Sequence, residues 1–170
     1  MTPASSSIQI RLAGPADADQ LARCRLDLFT ELRGGLDPAG ADGFLSHGAD
    51  ALRRYFETDR VAAWIAEAAP DGENVGSLIL LLYPRLPSFH NLRTEEGYLI
   101  NVYVAAARRR QGIASALMET ALADGRRRRL ARIRLHASPE GRLGYQQLGF
   151  RGRDDEMELD FVTTDEPHLR

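Results

Sequence analysis

Residues 102–115 combine the end of a strand, an arginine-rich turn and the start of a helix, which together can bind an anion. Their sequence is VYVAAARRRQGIAS, with arginines at 108–110 and the small residues Gly112 and Ala114. The first N–H groups of a helix lack internal partners and lie at the positive end of its dipole. A phosphate or pyrophosphate satisfies them if the backbone can approach closely, which small residues permit. The arginines attract the same anion.

A solvated basic turn before an ordinary helix would also explain a lone Gly-x-Ala. The combination of strand, arginines, glycine and helix favours phosphate binding instead. Neither common nucleotide fingerprint is present, since Gly-x-Gly-x-x-Gly is missing and Gly-x-x-x-x-Gly-Lys cannot occur in a chain without lysine.

The composition is that of an ordinary soluble protein. The 170 residues suffice for one domain with one core. No apolar run approaches the roughly 20 residues of a membrane span, and the start MTPASSS does not resemble a secretory signal, so we expect a cytoplasmic protein without a membrane partner. A single cysteine, Cys24, and scattered histidines predict neither a disulfide nor a metal site.

The net charge is −2, with arginines clustered at 108–110 and 126–129. Local basic clusters on a near-neutral chain suit a small anionic ligand better than a nucleic acid. Basic residues at 126–129 are favoured by the dipole at a helix C-terminus, and no aromatics are interleaved for base stacking. We therefore expect no nucleic-acid partner.

Periodicity and turn residues predict an alternating series of strands and helices. We expect strands at 8–12, 61–68, 75–83, 97–104, 133–136 and 157–162, and helices at about 18–32, 50–59, 113–123 and 139–148, with loops at 36–48 and 84–95. This mixed order predicts an α+β (mixed α/β) fold with helices on both faces of a sheet. One domain would cover residues 8–162, between a disordered tail at 1–7 and a C-terminal tail at 163–170.

Two motifs together resemble the GCN5-related N-acetyltransferase (GNAT) superfamily. Residues 109–114, RRQGIA, match the family's Gln/Arg-x-x-Gly-x-Gly/Ala motif and follow the β-rich segment LINVYV. Residues 144–150, GYQQLGF, are similar to its Tyr-x-x-x-Gly-Phe signature. The resemblance covers roughly residues 8–162. It implies a single domain whose central, mostly antiparallel, twisted sheet has a splayed pair of strands.

The resemblance also implies acetyl transfer from acetyl-CoA to an amine, and it implies roles for residues. Val102 and Val104 would pair with the pantetheine arm, the Val102 N–H would polarise the thioester carbonyl, and Tyr145 would protonate the leaving thiolate. The implied acetyl-CoA contacts are Val102, Tyr103, Val104, Arg109, Arg110, Gln111, Gly112, Ile113, Ala114, Ser115 and Ser138. Ala114 replaces a more common glycine, and Ser138 replaces a more common asparagine.

The group that deprotonates the amine is left open by the sequence. In the family a carboxylate on the splayed strand or a chain of waters takes this proton. Glu96 shares strand parity with Val102, so it can face the site as a base. An exposed loop carboxylate without a catalytic role explains Glu96 equally well.

Two functions from different classes remain open at this stage. The first is catalysis of N-acetylation, which Tyr145 favours. The second is an acyl-CoA-binding sensor with little turnover, which the lack of a firm base keeps open. The acceptor could be a small amine, an amino acid, an antibiotic or a peptide amine, and a homodimer is compatible with the resemblance.

Overall fold

A computed structural model describes residues 7–35, 37–153, 157 and 159. The strands are β1 Ile8–Leu12, β2 Val61–Ala68, β3 Glu73–Pro84, β4 Glu95–Val104 and β5 Ile133–Leu135. The helices are α1 Ala18–Arg33, α2 Pro38–Glu57, α3 Ile113–Arg127 and α4 Pro139–Gln147, with 3₁₀ turns at Pro15–Asp17 and Ala106–Arg108. None of the described helices is both long and apolar enough to cross a membrane.

The five strands form one sheet in the order β1-β2-β3-β4-β5. Neighbours are antiparallel except for β4 and β5, which run parallel. The β4–β5 pairing extends only from Gly97–Ile133 to Leu99–Leu135, whereas β4 continues to Val104. The edge of β4 beyond Leu99 therefore has no partner in β5, in agreement with the expected splayed pair.

Helices cover both faces of the sheet, as expected. One face packs against α3, whose buried residues Ile113, Leu117 and Ala121 recur at helical spacing. The other face packs against α1 and α2 through Leu21, Ala22 and Leu52, among others. We call these the α3 face and the α1/α2 face. Successive side chains of β2 point to opposite faces of the sheet, so Trp64 lies on the α3 face and Ile65 on the α1/α2 face.

The loop predicted at residues 36–48 was wrong, because α2 already begins at Pro38. Asp37 caps it by accepting a hydrogen bond of 2.7 Å from the Gly40 N–H, and proline suits the first helical position. Glycines suggested a loop there because they weaken isolated helices. In the folded protein α2 packs against α1 at Gly48, where a Cβ would make an ordinary van der Waals contact of 3.6 Å with the Ala22 methyl group. Packing against α1 therefore stabilises a helix that its glycines would weaken in isolation.

Helix α3 also runs beyond its predicted end at residue 123, through Gly125 to Arg127. Gly125 is buried, and a Cβ there would come within 2.8 Å of the Ile133 side chain. The glycine therefore serves close packing against β5 and does not end the helix. The strand expected at 157–162 and the tails expected at 1–7 and 163–170 fall outside the described residues, apart from Ser7, Met157 and Leu159.

Candidate functional site

The junction between β4 and α3 has the strand–turn–helix arrangement expected for the anion site. Gly112 is the N-cap of α3 with φ +79°, and no side chain caps the helix. The first N–H groups of α3 are therefore available to a ligand. A Cβ at Gly112 would meet nothing within 4 Å, so the space in front of the helix is open. The positive φ explains the glycine, because other residues rarely adopt it.

The three arginines of the turn differ in what they contact. Arg108 forms an ion pair of 3.1 Å with Glu73. Arg109 donates a hydrogen bond of 3.0 Å to the Val104 carbonyl and is ion-paired with Glu31 of α1. Arg110 lies at φ +61° and has no ion pair with any described residue. Of the three arginines, Arg110 is thus the one whose charge is available to an external anion.

The remaining residues expected to contact acetyl-CoA lie along this junction. The side chains of Gln111, Ala114 and Ser115 are exposed, whereas Ile113 is buried in the core, so only its backbone is available. Val102 and Val104 pack on the α3 face. For Tyr103, partial burial raises the pKa of the phenol, and the carboxylates of Asp27 and Glu31 raise it further.

Tyr145 lies on α4 and packs against the apolar residues of the α3 face. Its ring meets Phe150 edge-on at a centroid distance of 5.9 Å, so the Tyr-x-x-x-Gly-Phe pattern brings these two rings together. Burial raises the pKa of the Tyr145 phenol, which keeps the hydroxyl protonated at neutral pH. Ser138 caps α4, because its hydroxyl accepts a hydrogen bond of 3.1 Å from the Gly141 N–H.

The expectation that Glu96 shares a face with Val102 was wrong. Strand β4 has a bulge at Ile100, since Leu80 pairs with Leu99 but Ile79 pairs with Asn101. An extra residue reverses the alternation of side chains. Leu99 and Val102 consequently both pack on the α3 face.

Glu96 itself is buried among arginines. One carboxylate oxygen accepts a hydrogen bond of 2.7 Å from Arg132, and the other accepts one of 2.7 Å from Arg134. The Arg85 guanidinium lies 3.8 Å away. Both oxygens are thus already engaged, and a role for Glu96 as a base would require these bonds to break.

The structure brings Tyr98 and His136 into contact, which the sequence did not predict. The Tyr98 hydroxyl is hydrogen-bonded to Nδ1 of His136, which follows the last residue of β5. The Arg134 guanidinium lies 5.8 Å from the centre of the Tyr98 ring, so Glu96 holds an arginine that covers this tyrosine. Tyr98 and His136 therefore flank the point where β4 and β5 separate. A contact between residues so distant in sequence leaves no local signal.

Asn101, the polar strand residue next to the bulge, is 2% exposed. Its Nδ2 donates a hydrogen bond of 3.3 Å to the Ser77 hydroxyl, while its Oδ1 has no partner within the described part of the chain. This buried oxygen can therefore accept a hydrogen bond from a ligand or a water molecule.

A cavity of about 710 Å³ lies on the α1/α2 face, bounded by α1, α2, β3 and β4. Apolar side chains form most of its wall, among them Phe44, Leu52, Ile79, Leu81 and Ile100. This volume is within the usual range for small-molecule sites. Its strand wall includes the bulge residue of β4, so the cavity adjoins the opening between β4 and β5.

Comparison with known proteins decides the family. The profile of the Acetyltransferase (GNAT) family matches residues 29–150, more than half of the chain. The chain belongs to this family. Among curated proteins, no sequence matches the chain.

Solved structures show the same fold over almost the whole chain. A GCN5-related N-acetyltransferase from Ralstonia eutropha JMP134 is 24% identical, with 91% of this chain and 99% of that one covered and a TM-score of 0.76. A predicted acetyltransferase from Clostridium acetobutylicum, solved with acetyl-CoA, is 21% identical, with 91% and 96% covered and a TM-score of 0.77. A ribosomal-protein-alanine N-acetyltransferase from Brucella melitensis biovar Abortus 2308 is 21% identical, with 92% and 100% covered and a TM-score of 0.65.

This GNAT domain thus combines three features beside one another. Within the described residues, they are a helix N-terminus without a side-chain cap beside an arginine without an ion pair, a strand edge that is unpaired beyond Leu99, and a cavity on the α1/α2 face. No group of three potential metal ligands occurs among the residues that the structure describes. Such an arrangement can bind an anionic group at one side of β4 and an apolar ligand at the other.

Proposed function

We propose that this protein is an N-acetyltransferase that transfers the acetyl group of acetyl-CoA directly to an amine. The observation that carries the proposal is the position of the uncapped α3 N-terminus next to the opening between β4 and β5. Membership of the acetyltransferase family supports acetyl transfer in general. Acetyl-CoA as the acetyl donor and an amine as the acetyl acceptor are what we propose beyond this.

The residues of the β4–α3 junction fit the anionic part of acetyl-CoA. The N–H groups from Gly112 to Ser115 would hold the pyrophosphate, and the open space at Gly112 allows the phosphates to approach the backbone. Arg110 would add a charge, while Arg109 holds the loop to α1 through Glu31. The unpaired edge of β4 from Val102 to Val104 would hydrogen-bond the pantetheine arm, with Ser138 at the start of α4 on the other side.

The reaction needs a polarised carbonyl, a neutral amine and a proton for the thiolate. The Val102 N–H would donate to the thioester oxygen and stabilise the negative charge that develops there. The amine nitrogen attacks the carbonyl carbon, the C–S bond breaks, and the sulfur takes the proton of the Tyr145 hydroxyl. The raised pKa of Tyr145 keeps this proton in place until sulfur develops charge.

The proton of the amine would pass to the Tyr98–His136 pair, directly or through water. The Tyr98 oxygen accepts the amine proton as its own proton moves to Nδ1 of His136, so the pair gains one proton in all. This assignment replaces Glu96 as the base, because both Glu96 oxygens are bonded to arginines. Glu96 becomes a positioning residue that holds Arg134 over the Tyr98 ring.

Thermal unfolding with acetyl-CoA, followed by thiol release against a panel of amines, tests the proposal. Acetyl-CoA at about 100 times its dissociation constant should stabilise the fold by about 2.7 kcal/mol. Thiol release that depends on an amine, with a product that resists neutral hydroxylamine as an amide does, would support N-acetylation. Stabilisation without release by any amine would favour the sensor, and the absence of stabilisation would contradict both functions.

A further inference from the structure

One cation at the cavity on the α1/α2 face, Arg25, has no counter-charge among the residues that the structure describes. Arg25 of α1 lines this cavity and is partly buried. No aspartate or glutamate is among the residues that line the cavity, and Arg25 forms no ion pair with any described carboxylate. Removing a charge partly from water without a nearby opposite charge is unfavourable. Burial accordingly lowers the pKa of the Arg25 guanidinium, and no nearby carboxylate raises it.

The contacts of Arg25 hold its guanidinium beside β4. One of its terminal nitrogens donates a hydrogen bond of 2.9 Å to the Ile100 carbonyl at the bulge of β4. Its guanidinium also lies 4.7 Å from the centre of the Phe29 ring. A guanidinium has five N–H donors, so one hydrogen bond leaves donors for a ligand in the cavity.

Apart from His47 and Tyr55, the other side chains of the wall are apolar and favour an apolar group. Phe44, Leu52, Ile79, Leu81 and Ile100 line the cavity, and a ligand that covers them gains the free energy of removing apolar surface from water. A polycationic acceptor such as an aminoglycoside would place its charges against Arg25 and against this wall. A ligand with a carboxylate and an apolar side chain matches both features.

The position of Arg25 also relates the carboxylate to the reacting amine. Ile100 and Val102 are two residues apart, or about 6–7 Å along a strand. A carboxylate on Arg25 therefore lies near the β4 bulge. In an α-amino acid the amine is on the same carbon as the carboxylate, which brings the nitrogen close to the edge of β4 where the thioester would lie.

We infer that the acceptor is an apolar α-amino acid, whose carboxylate is bound by Arg25 and whose side chain fills the cavity on the α1/α2 face. This inference rests on the proposed function, because it concerns the acceptor of the same reaction. It names the class of acceptor that the sequence left open.

Three matched acceptors test the inference: L-phenylalanine, L-phenylalaninamide and 2-phenylethylamine. They share an apolar body, and only the first has a carboxylate; the amide also represents a peptide N-terminus. We expect kcat/KM for L-phenylalanine to exceed both others by at least about tenfold, as one charge-assisted hydrogen-bonded pair provides. Equal or faster turnover of either analogue would overturn the inference while leaving N-acetylation intact.

The variant R25Q should abolish this preference by raising KM for L-phenylalanine about tenfold or more, with the acetyl-CoA dissociation constant unchanged. R25K retains the charge and should keep part of the preference. R33Q is the matched control, because Arg33 also stacks on Phe29 at 5.6 Å but does not line the cavity. A loss in R25Q that is equal for all three amines would indicate only a structural role and overturn the inference.

Binding of N-acetyl-L-phenylalanine, measured calorimetrically without acetyl-CoA, separates the two proposals. Binding that R25Q weakens and R33Q does not would support the carboxylate site even if no amine were acetylated, a result that would count against the proposed function alone. Equal binding of N-acetyl-2-phenylethylamine would overturn the carboxylate site whatever the activity.

Discussion

Arg109 is tied to the end of β4, since its Nε–H donates a hydrogen bond of 3.0 Å to the Val104 carbonyl. The same guanidinium is ion-paired with Glu31, so this arginine joins the arginine-rich turn at residues 108–110 to the strand and to α1. An arginine with these partners orients the turn. Its neighbour Arg110, which has no such partner within the described residues, is left to bind an anion.

The variant R110A should therefore weaken acetyl-CoA binding by about tenfold, the effect of losing one charge-assisted hydrogen bond. R108A is the matched control, because Arg108 is already paired with Glu73, and it should change affinity by less than about threefold. Calorimetric titration at two salt concentrations measures both, and the salt dependence should be weaker for R110A. Equal losses in the two variants would contradict the assignment.

Replacing Gly112 by alanine should weaken acetyl-CoA binding at least about tenfold, because a methyl group enters the space of the phosphates. The positive φ should also cost about 1–2 kcal/mol of stability. Gly72 provides a control, since it has φ +67° and nothing within 4 Å of a Cβ, but lies in the turn between β2 and β3. G72A should lose similar stability in thermal unfolding and keep its affinity for acetyl-CoA; if it loses affinity as well, strain and not the phosphate site explains G112A.

The variant Y145F should lower kcat by about 100-fold and leave the dissociation constant of acetyl-CoA unchanged. Burial raises the pKa of Tyr145 above its usual value, so the phenol should remain a proton donor well into alkaline pH. On the alkaline side, the activity of the native protein should not fall until pH rises through that raised pKa, and this alkaline decrease should be missing in Y145F. A native kcat in the variant would exclude Tyr145 as the acid.

Glu96 and His136 should behave differently when each is replaced. E96Q removes the carboxylate that Arg132 and Arg134 share and should destabilise the fold by about 1–3 kcal/mol. Where the variant remains folded, we expect kcat to fall by less than about tenfold, whereas H136N should lower kcat by about 100-fold with a native unfolding temperature. A larger kcat loss in folded E96Q than in H136N would restore Glu96 as the base.

Acid should remove the stabilisation that Asp17 provides. The Asp17 carboxylate accepts hydrogen bonds of 2.8 and 3.0 Å from Arg11 and one of 2.8 Å from the Gly14 N–H. The Arg11 hydrogen bonds lower the pKa of Asp17 below its usual value. Its contribution is therefore full above the unfolded pKa near 4 and is lost as pH falls through the folded pKa.

D17N should accordingly cost about 1 kcal/mol at pH 7, because the pair is partly exposed, and the difference from the native protein should shrink as pH falls below the unfolded pKa near 4. Denaturant unfolding of both proteins at a series of pH values from 7 downward measures this difference in stability. A difference that stays constant with pH would show that the charge of Asp17 contributes nothing.

Local patterns were sufficient for much of the fold. Strand β1 was predicted with its observed bounds, and so was β2, because their β-prone residues are contiguous and bounded by turn residues. The strand–turn–helix around Gly112 was predicted for the same reason. Helix α2 was predicted too short because its first turns contain glycines, which weaken an isolated helix. In the folded protein α2 packs against α1, a contact between distant segments.

The sequence by itself determined the family, the mixed fold and the position of the arginine-rich turn between β4 and α3, since these depend on residues within a few positions of one another. Only the tertiary structure decided which arginine of the turn is free, which face Glu96 occupies, and which side chains meet near the splayed strands. The bulge at Ile100 arises from pairing with β3, and the contact between Tyr98 and His136 spans 38 positions. Such relationships are set by the packing of distant segments, and no local pattern encodes them.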